Sequence, residues 1–196
     1  DLLELLDAAP AAVVGYSMGA RLALVLALTQ PQVVERLVLE SPSPGIADDD
    51  DRAARRLADE RLADEIERDG VEAFVDRWAA TPIFRSQATL PVDIRAAQRN
   101  ERLRHTTVGL ATSLRGAGQG AMAPVHDRLP LIDRPTLVIA GALDPTGRER
   151  AHTVAEAIPG ARLEIIEGAG HNPHLESAAA FGRVVADFLR ISQPVA

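Results

Sequence analysis

The sequence predicts an α/β architecture, in which a parallel sheet is flanked by helices and interrupted by a helical insertion. Three observations carry that prediction. Ala11 to Leu28 compresses a buried strand, a sharp turn and an apolar helix into one stretch. Strand, helix and strand recur at βαβ spacing near both ends of the chain. Between them, from Ala47 to about Leu129, helical periodicities appear and no convincing strand does. The expected division is a first core segment at 1–46, a helical cap at 47–129 and a second core segment at 130–196.

Asp1 to Ala8 reads as a helix. Ala11 to Val14, bounded by Pro10 and Gly15, is the first strand, and Arg21 to Leu28 is a continuous apolar helix. Between them stands Gly15-Tyr16-Ser17-Met18-Gly19, a G-x-S-x-G turn that lifts its serine to the top of a sheet. Small residues at 15 and 19 are expected to leave room where the backbones approach. A serine that only caps the helix is the plainer alternative, and the correct flanks argue against it. Val34 to Leu39 is the next strand, leading into the Pro/Gly-rich Glu40 to Gly45.

In the insertion, a helix opens at the Asp48 to Asp51 run and sets Ala54, Ala58, Leu62 and Ile66 four residues apart before Gly70. The aspartates read as capping and dipole compensation rather than as a metal site. Val71, Phe74, Val75 and Trp78 make the stripe of a second amphipathic helix, stopped by Pro82. A third, about Val92 to Arg104, places Arg95, Arg99 and Arg102 on one face, which pattern alone reads as solvated and balanced by Asp93 and Glu101. A fourth, near Val108 to Leu114, runs into Arg115 to Gly120, expected to be a flexible loop that moves as a lid. The sheet resumes at Pro135 to Ala140. A helix with Ala151, Val154, Ala155 and Ile158 on one face leads to the last strand, Arg162 to Ile166, and a closing helix repeats Phe181, Val184, Val185, Phe188 and Leu189.

With 196 residues and 46% hydrophobic content, the chain can bury a sizeable core. A net charge of −7 argues against a nucleic-acid partner. All 21 cationic residues are arginine, the side chain that grips carboxylates bidentately, so a small anionic substrate would be met by local positive charge. Without cysteine there is no disulfide, thiol chemistry or Cys-based metal site. The longest apolar run, Leu22 to Leu28, is too short to span a bilayer, and a cytoplasmic location is inferred. No metal or organic cofactor is implied, and the oligomeric state stays open. The elbow arrives soon after Asp1, although its strand should have neighbours on both sides; further N-terminal strands are therefore expected in the complete protein.

Asp144 and His171 follow the last two strands directly. With Ser17 they stand at strand C-terminal ends, where ligands and catalytic groups collect in parallel sheets. The chain order is serine, acid, histidine. His171 would hold the Ser17 proton on one ring nitrogen while Asp144 accepts from the other. Singly, Asp144 reads as a helix cap and His171 as a loop residue; jointly they read as a triad. The Met18 N–H, next after the serine, would serve as an oxyanion donor. His174 is further from the strand end and reads as a supporting or surface residue. His105, His126 and His152 carry no pattern and are expected to face solvent. Arg21 lies one turn after Ser17, and Arg55 borders the apolar face of the cap helix. With the Arg95, Arg99, Arg102 stripe they allow a pocket suited to a substrate with several carboxylates.

At these residues the sequence resembles the 2-succinyl-6-hydroxy-2,4-cyclohexadiene-1-carboxylate synthases of menaquinone biosynthesis. GYSMG, the Asp144 loop and GAGHNPHLE are general α/β-hydrolase features. GYSMGARLAL, LVLESPSPGI, RAARRLADE, the W-x-x-T-P-I-F segment from Trp78 and LATSLRGAGQG are more specific. The resemblance implies an α/β-hydrolase fold with a helical cap and a triad serine that acts as a base, driving elimination of pyruvate. It further implies that Ser17, Asp144 and His171 are catalytic and that Tyr16, Arg21, Arg55, Trp78 and Arg102 line the site, with Arg99 the alternative to Arg102. Ala20 departs from the family's usual glycine. The family's Gln near Met122 and its Lys after the acid are missing, with only Arg148 close, and no His-Gly oxyanion loop precedes the elbow. A general serine hydrolase forming an acyl-enzyme is the competing activity. A non-enzymatic fragment whose sheet edge pairs with another chain is a third reading.

Overall fold

The computed structural model describes residues 10–190, so the helix expected at Asp1 to Ala8 lies outside the described residues. In chain order the elements are β1 (Ala11–Tyr16), α1 (Met18–Thr29), β2 (Val34–Glu40), α2 (Asp49–Ala79), α3 (Val92–Leu103), α4 (Thr107–Ala117), β3 (Thr136–Gly141), α5 (Pro145–Ala157), β4 (Arg162–Ile166), α6 (Pro173–Glu176) and α7 (Ala178–Arg190), with short 3-10 turns between them. They form two units: residues up to Pro44 with those from Val125 onward, and Gly45–Pro124. Val125 and Leu129, counted with the insertion in the sequence reading, are buried in the core of the first unit.

In the first unit four strands pair in parallel in the order β1-β2-β3-β4. Tyr16 lies beside Glu40 and Gly141 beside Ile166, so the strand C-termini end together. β2 and β3 are covered on both faces, which is why Leu37 to Leu39 and Leu137 to Ala140 read as unbroken apolar runs. Leu37, Leu39, Val138 and Ala140 pack with Leu24 of α1 and Val154 of α5. Val38, Leu137 and Ile139 point the other way, onto Phe181, Val184, Val185 and Phe188 of α7. Leu189, expected on that stripe, is instead exposed. Among the described residues β1 pairs on one side, with β2, and Val14 is 52% exposed.

The elbow needs a small residue at one of its two glycines. A Cβ on Gly15 would stand 2.5 Å from the Gly19 carbonyl oxygen and 2.7 Å from the Ala20 Cα, both rigid backbone. At Gly19 it would meet nothing within 4 Å among the described residues, which corrects the expectation that both positions are sterically closed. Gly15→Ala is therefore expected to destabilise the protein by about 1–3 kcal/mol, and Gly19→Ala to be neutral or stabilising by up to about 1 kcal/mol. Urea denaturation of the two variants measures the contrast; equal effects would show that the elbow relaxes around residue 15.

The second unit is helical. Asp48 caps α2, its carboxylate accepting from the Asp51 N–H at 2.9 Å, which accounts for the start of the aspartate run. The two helices expected on either side of Gly70 join as α2, kinked where Gly70 takes φ 85° and ψ 172°. The buried face of the first half is Asp59, Ala63 and Ile66, whereas Ala54 and Ala58 are exposed. The face is displaced because Asp59 turns inward to accept from Arg55 Nε at 2.7 Å and from the Gly120 N–H at 3.2 Å. That contact also overturns the flexible-lid expectation for Arg115 to Gly120. Arg115 belongs to α4 and pairs with Glu60, Asp64 and Glu67 of α2. A Cβ on Gly118 would fall 2.3 Å from the Leu114 carbonyl oxygen, and one on Gly120 2.3 Å from the Arg56 nitrogen. These glycines serve close packing, not mobility.

Candidate active site

Ser17 alone turns the chain from β1 into α1. Its φ of 50° and ψ of −107° lie outside the ordinary wells, a conformation worth of order 1–3 kcal/mol of strain. Two backbone bonds hold it there: the Ser17 N–H donates to the Glu40 carbonyl at 2.9 Å, and the Arg21 N–H to the Ser17 carbonyl at 3.2 Å. Met18 opens α1, so its N–H lies at the positive end of the helix dipole.

Asp144 follows β3, and its two carboxylate oxygens make the contacts that both sequence readings call for. Its Oδ1 accepts from the Gly147 N–H at 2.9 Å, capping α5, and its Oδ2 accepts from His171 Nδ1 at 2.7 Å. A Cβ on Gly147 would meet that carboxylate at 2.2 Å, so only glycine fits beneath it. On the other side of the ring, His171 Nε2 lies 3.0 Å from Ser17 Oγ. With the proton on Nδ1 facing the carboxylate, Nε2 is the acceptor and the serine hydroxyl donates. Burial pushes the Asp144 carboxyl up, yet the His171 and Gly147 hydrogen bonds, with the charges of His171 and Arg150, outweigh it and hold the group below its ordinary value.

The loop carrying His171 is anchored at several points. Glu176 accepts from the Gly170 N–H at 2.7 Å and the Asn172 N–H at 3.1 Å, and Ser41 Oγ donates to the His171 carbonyl at 2.9 Å. His174, read from sequence as supporting or surface, is bonded through its N–H and Nδ1 to Glu40, a carboxylate 1% exposed. Sequence reasoning passed over Glu40. Its one signal was an acidic residue directly after the apolar Leu37-Val38-Leu39. Tyr16 stands between the two imidazoles, 5.6 Å from the His171 ring and 5.1 Å from that of His174. Arg21 is buried on α1. His105 and His152 are exposed, but His126 is half-buried, contrary to expectation, with Nδ1 enclosed and without a hydrogen-bond partner among the described residues.

The remaining candidates lie in the second unit. Arg55 is held by Asp59 and by Gln119 Oε1 at 3.3 Å. Trp78 stacks on Phe74 with ring centres 5.6 Å apart and meets Phe84 edge-on at 5.9 Å. Arg102 places its guanidinium 4.9 Å above the Phe84 ring, in the wall of a cavity of about 440 Å³ that Val75, Gln87 and Arg95 also line. Arg99 pairs with Asp76 at 2.9 Å and Glu72 at 3.0 Å, so its balancing acids come from α2 and not from Asp93 or Glu101. Of the two alternatives, Arg99 is neutralised by two acids of α2.

Residues 1–178 match the family model described as the alpha/beta hydrolase fold. A Klebsiella pneumoniae protein named 2-succinyl-6-hydroxy-2,4-cyclohexadiene-1-carboxylate synthase is 33% identical over 181 residues, 90% of this chain and 67% of its own length. A Bacillus subtilis protein assigned provisionally to the same synthase is 44% identical over 176 residues; the match takes in 90% of this chain and spans 64% of that relative. Among solved structures, MenH from S. aureus superposes with a TM-score of 0.90 at 36% identity, covering 92% of this chain and 68% of that one. The enol-lactonase from Burkholderia xenovorans gives 0.78 at 26% identity, covering 96% and 68%. No helix among the described residues is long and apolar enough to cross a membrane.

Proposed function

The chain belongs to the α/β-hydrolase fold family and, within it, to the 2-succinyl-6-hydroxy-2,4-cyclohexadiene-1-carboxylate synthase group, and from that premise we propose that it eliminates pyruvate from a polycarboxylate cyclohexene intermediate of menaquinone biosynthesis. The observation that carries the reading is the unbroken line Asp144, His171, Ser17, with spacings of 2.7 and 3.0 Å, in a chain so related to the synthases. His171 Nε2 takes the Ser17 proton as Ser17 Oγ removes a proton from a ring carbon of the substrate. The C–H electron pair becomes the new double bond, the C–O bond to the leaving group breaks, and the departing pyruvate enolate recovers a proton from the imidazolium. Asp144 keeps the imidazole in the required tautomer, and the Met18 N–H faces the developing negative charge. Tyr16, Arg21, Arg55, Trp78 and Arg102 are the residues we assign to the substrate, the guanidinium groups to its carboxylates.

The same three side chains suit ester or lactone hydrolysis, the activity in the name of the Burkholderia neighbour, and one experiment separates the two. The purified protein is given the cyclohexene intermediate and pyruvate release is followed, beside a p-nitrophenyl ester control. Pyruvate release that Ser17→Ala abolishes is the expected result. Ester turnover without pyruvate assigns the protein to the hydrolases.

A further inference from the structure

The C-terminal end of β2 takes part in more than the sheet. Glu40 is 1% exposed, and an acid that deep is tolerated only with strong partners. It has them on one segment: the His174 N–H at 2.8 Å, and His174 Nδ1 at 3.0 Å from one carboxylate oxygen and 2.8 Å from the other. The next residue, Ser41, sits at a positive φ of 47° and donates its hydroxyl to the His171 carbonyl at 2.9 Å. Two consecutive side chains thus grip the histidine loop three residues apart. The main chain of Glu40 also accepts from the Ser17 N–H, so the serine turn and the histidine loop are referred to the same point of the same strand.

The grip extends to the ring. His174, fixed by Glu40, meets Tyr16 edge-on, with ring planes 79° apart, and Phe181 backs it at 5.9 Å. Tyr16 in turn leans on the His171 imidazole at 5.6 Å. Asp144 holds one nitrogen of that ring and Ser17 Oγ meets the other, and hydrogen bonds at the two nitrogens do not by themselves fix the tilt of the ring about the line joining them. A flanking aromatic wall does.

We propose that Glu40 and His174, with Ser41, form a clamp that positions the His171 ring against Ser17, Tyr16 being the wedge through which it acts. These are positioning residues, and the proposal rests on the triad reading. Displacement of a reacting group by about 1 Å can cost roughly 100-fold in rate, which sets the scale.

The test uses His174→Ala, a half-exposed position that leaves Glu40 its backbone donor, and His174→Asn, whose amide keeps the hydrogen bond to Glu40 but has no ring. Two readouts are taken: the imidazole proton resonance of His171 Nδ1, and the rate at which a fluorophosphonate labels Ser17. The expected result is a broadened or lost Nδ1 resonance in both variants. Labelling slows by about 10- to 100-fold, kcat for turnover falls in step and KM stays within about twofold of wild type; melting falls in His174→Ala, which strips the buried Glu40 of its side-chain donor, and is unchanged in His174→Asn, which keeps one. His174→Phe, which restores a ring, recovers part of the labelling rate. A resonance and a labelling rate equal to wild type in His174→Ala overturn the clamp. A wild type that is not labelled at all counts against the triad reading instead, while the resonance still decides the clamp.

Discussion

Ser17→Ala and His171→Ala are each expected to lower kcat by about 10⁴-fold or more, and the double variant to lose little beyond either one. The geometry gives the reason. Ser17 Oγ and His171 Nε2 share one proton across 3.0 Å, so removing either end abolishes the same step. A serine hydroxyl without its acceptor is too weak a base or nucleophile at neutral pH, and an imidazole without the serine has nothing to activate. What survives comes from binding and from the helix end behind Ser17. Steady-state kinetics on the three variants measures the coupling, and losses that multiply in the double variant would show two independent contributions. Melting should be unchanged in Ser17→Ala, because the strained backbone at 17 is held by main-chain bonds that alanine retains.

Asp144→Asn is expected to be nearly as damaging, with kcat reduced about 10⁴-fold. The amide still accepts from the Gly147 N–H, but by donating to Nδ1 it favours the tautomer whose Nε2 carries the proton and cannot accept one from Ser17. Stability should respond with a definite sign in pH. The native state holds the Asp144 carboxyl below its ordinary value, so the unfolded chain binds the proton more readily. The contribution is complete above the unfolded value of about 3.9 and disappears as pH falls through the lower native value. The difference in urea midpoint between wild type and Asp144→Asn should thus be constant from neutrality down to about pH 5 and shrink below about 4. A difference that stays the same down to pH 3 would mean that the charge of Asp144 is not what stabilises the fold.

The parts of the molecule written most plainly in the sequence are those in which local chemistry and tertiary role agree. Gly15 before a serine, with a strand on one side and an apolar helix on the other, leaves few backbone solutions. The residues following β3 and β4 come from the same strand-end logic, and of the three side chains singled out by it His171 lies within hydrogen-bond distance of both Asp144 and Ser17. The cap was harder to read. Its buried face runs through Asp59, a residue that periodicity sends to solvent, because the acid is satisfied by Arg55 nearby and by the backbone of Gly120, 61 residues on. Arg99 failed for a similar reason: its partners Glu72 and Asp76 lie on another helix, and no spacing within α3 reveals them. Glu40 was invisible because a charged residue closing a strand ordinarily marks the way out to water, and here it turns back to a loop that begins 130 residues later.

The packing of Gly118 and Gly120 carries a lesson for anyone diversifying this protein. A run of glycines at the end of a helix invites saturation mutagenesis and peptide grafting, on the assumption that such a segment yields. Here two of the three refuse even one added methyl, whereas Gly116 has open space around it. A variant library should vary 116 freely, leave its two neighbours as they are, and place any inserted tag elsewhere.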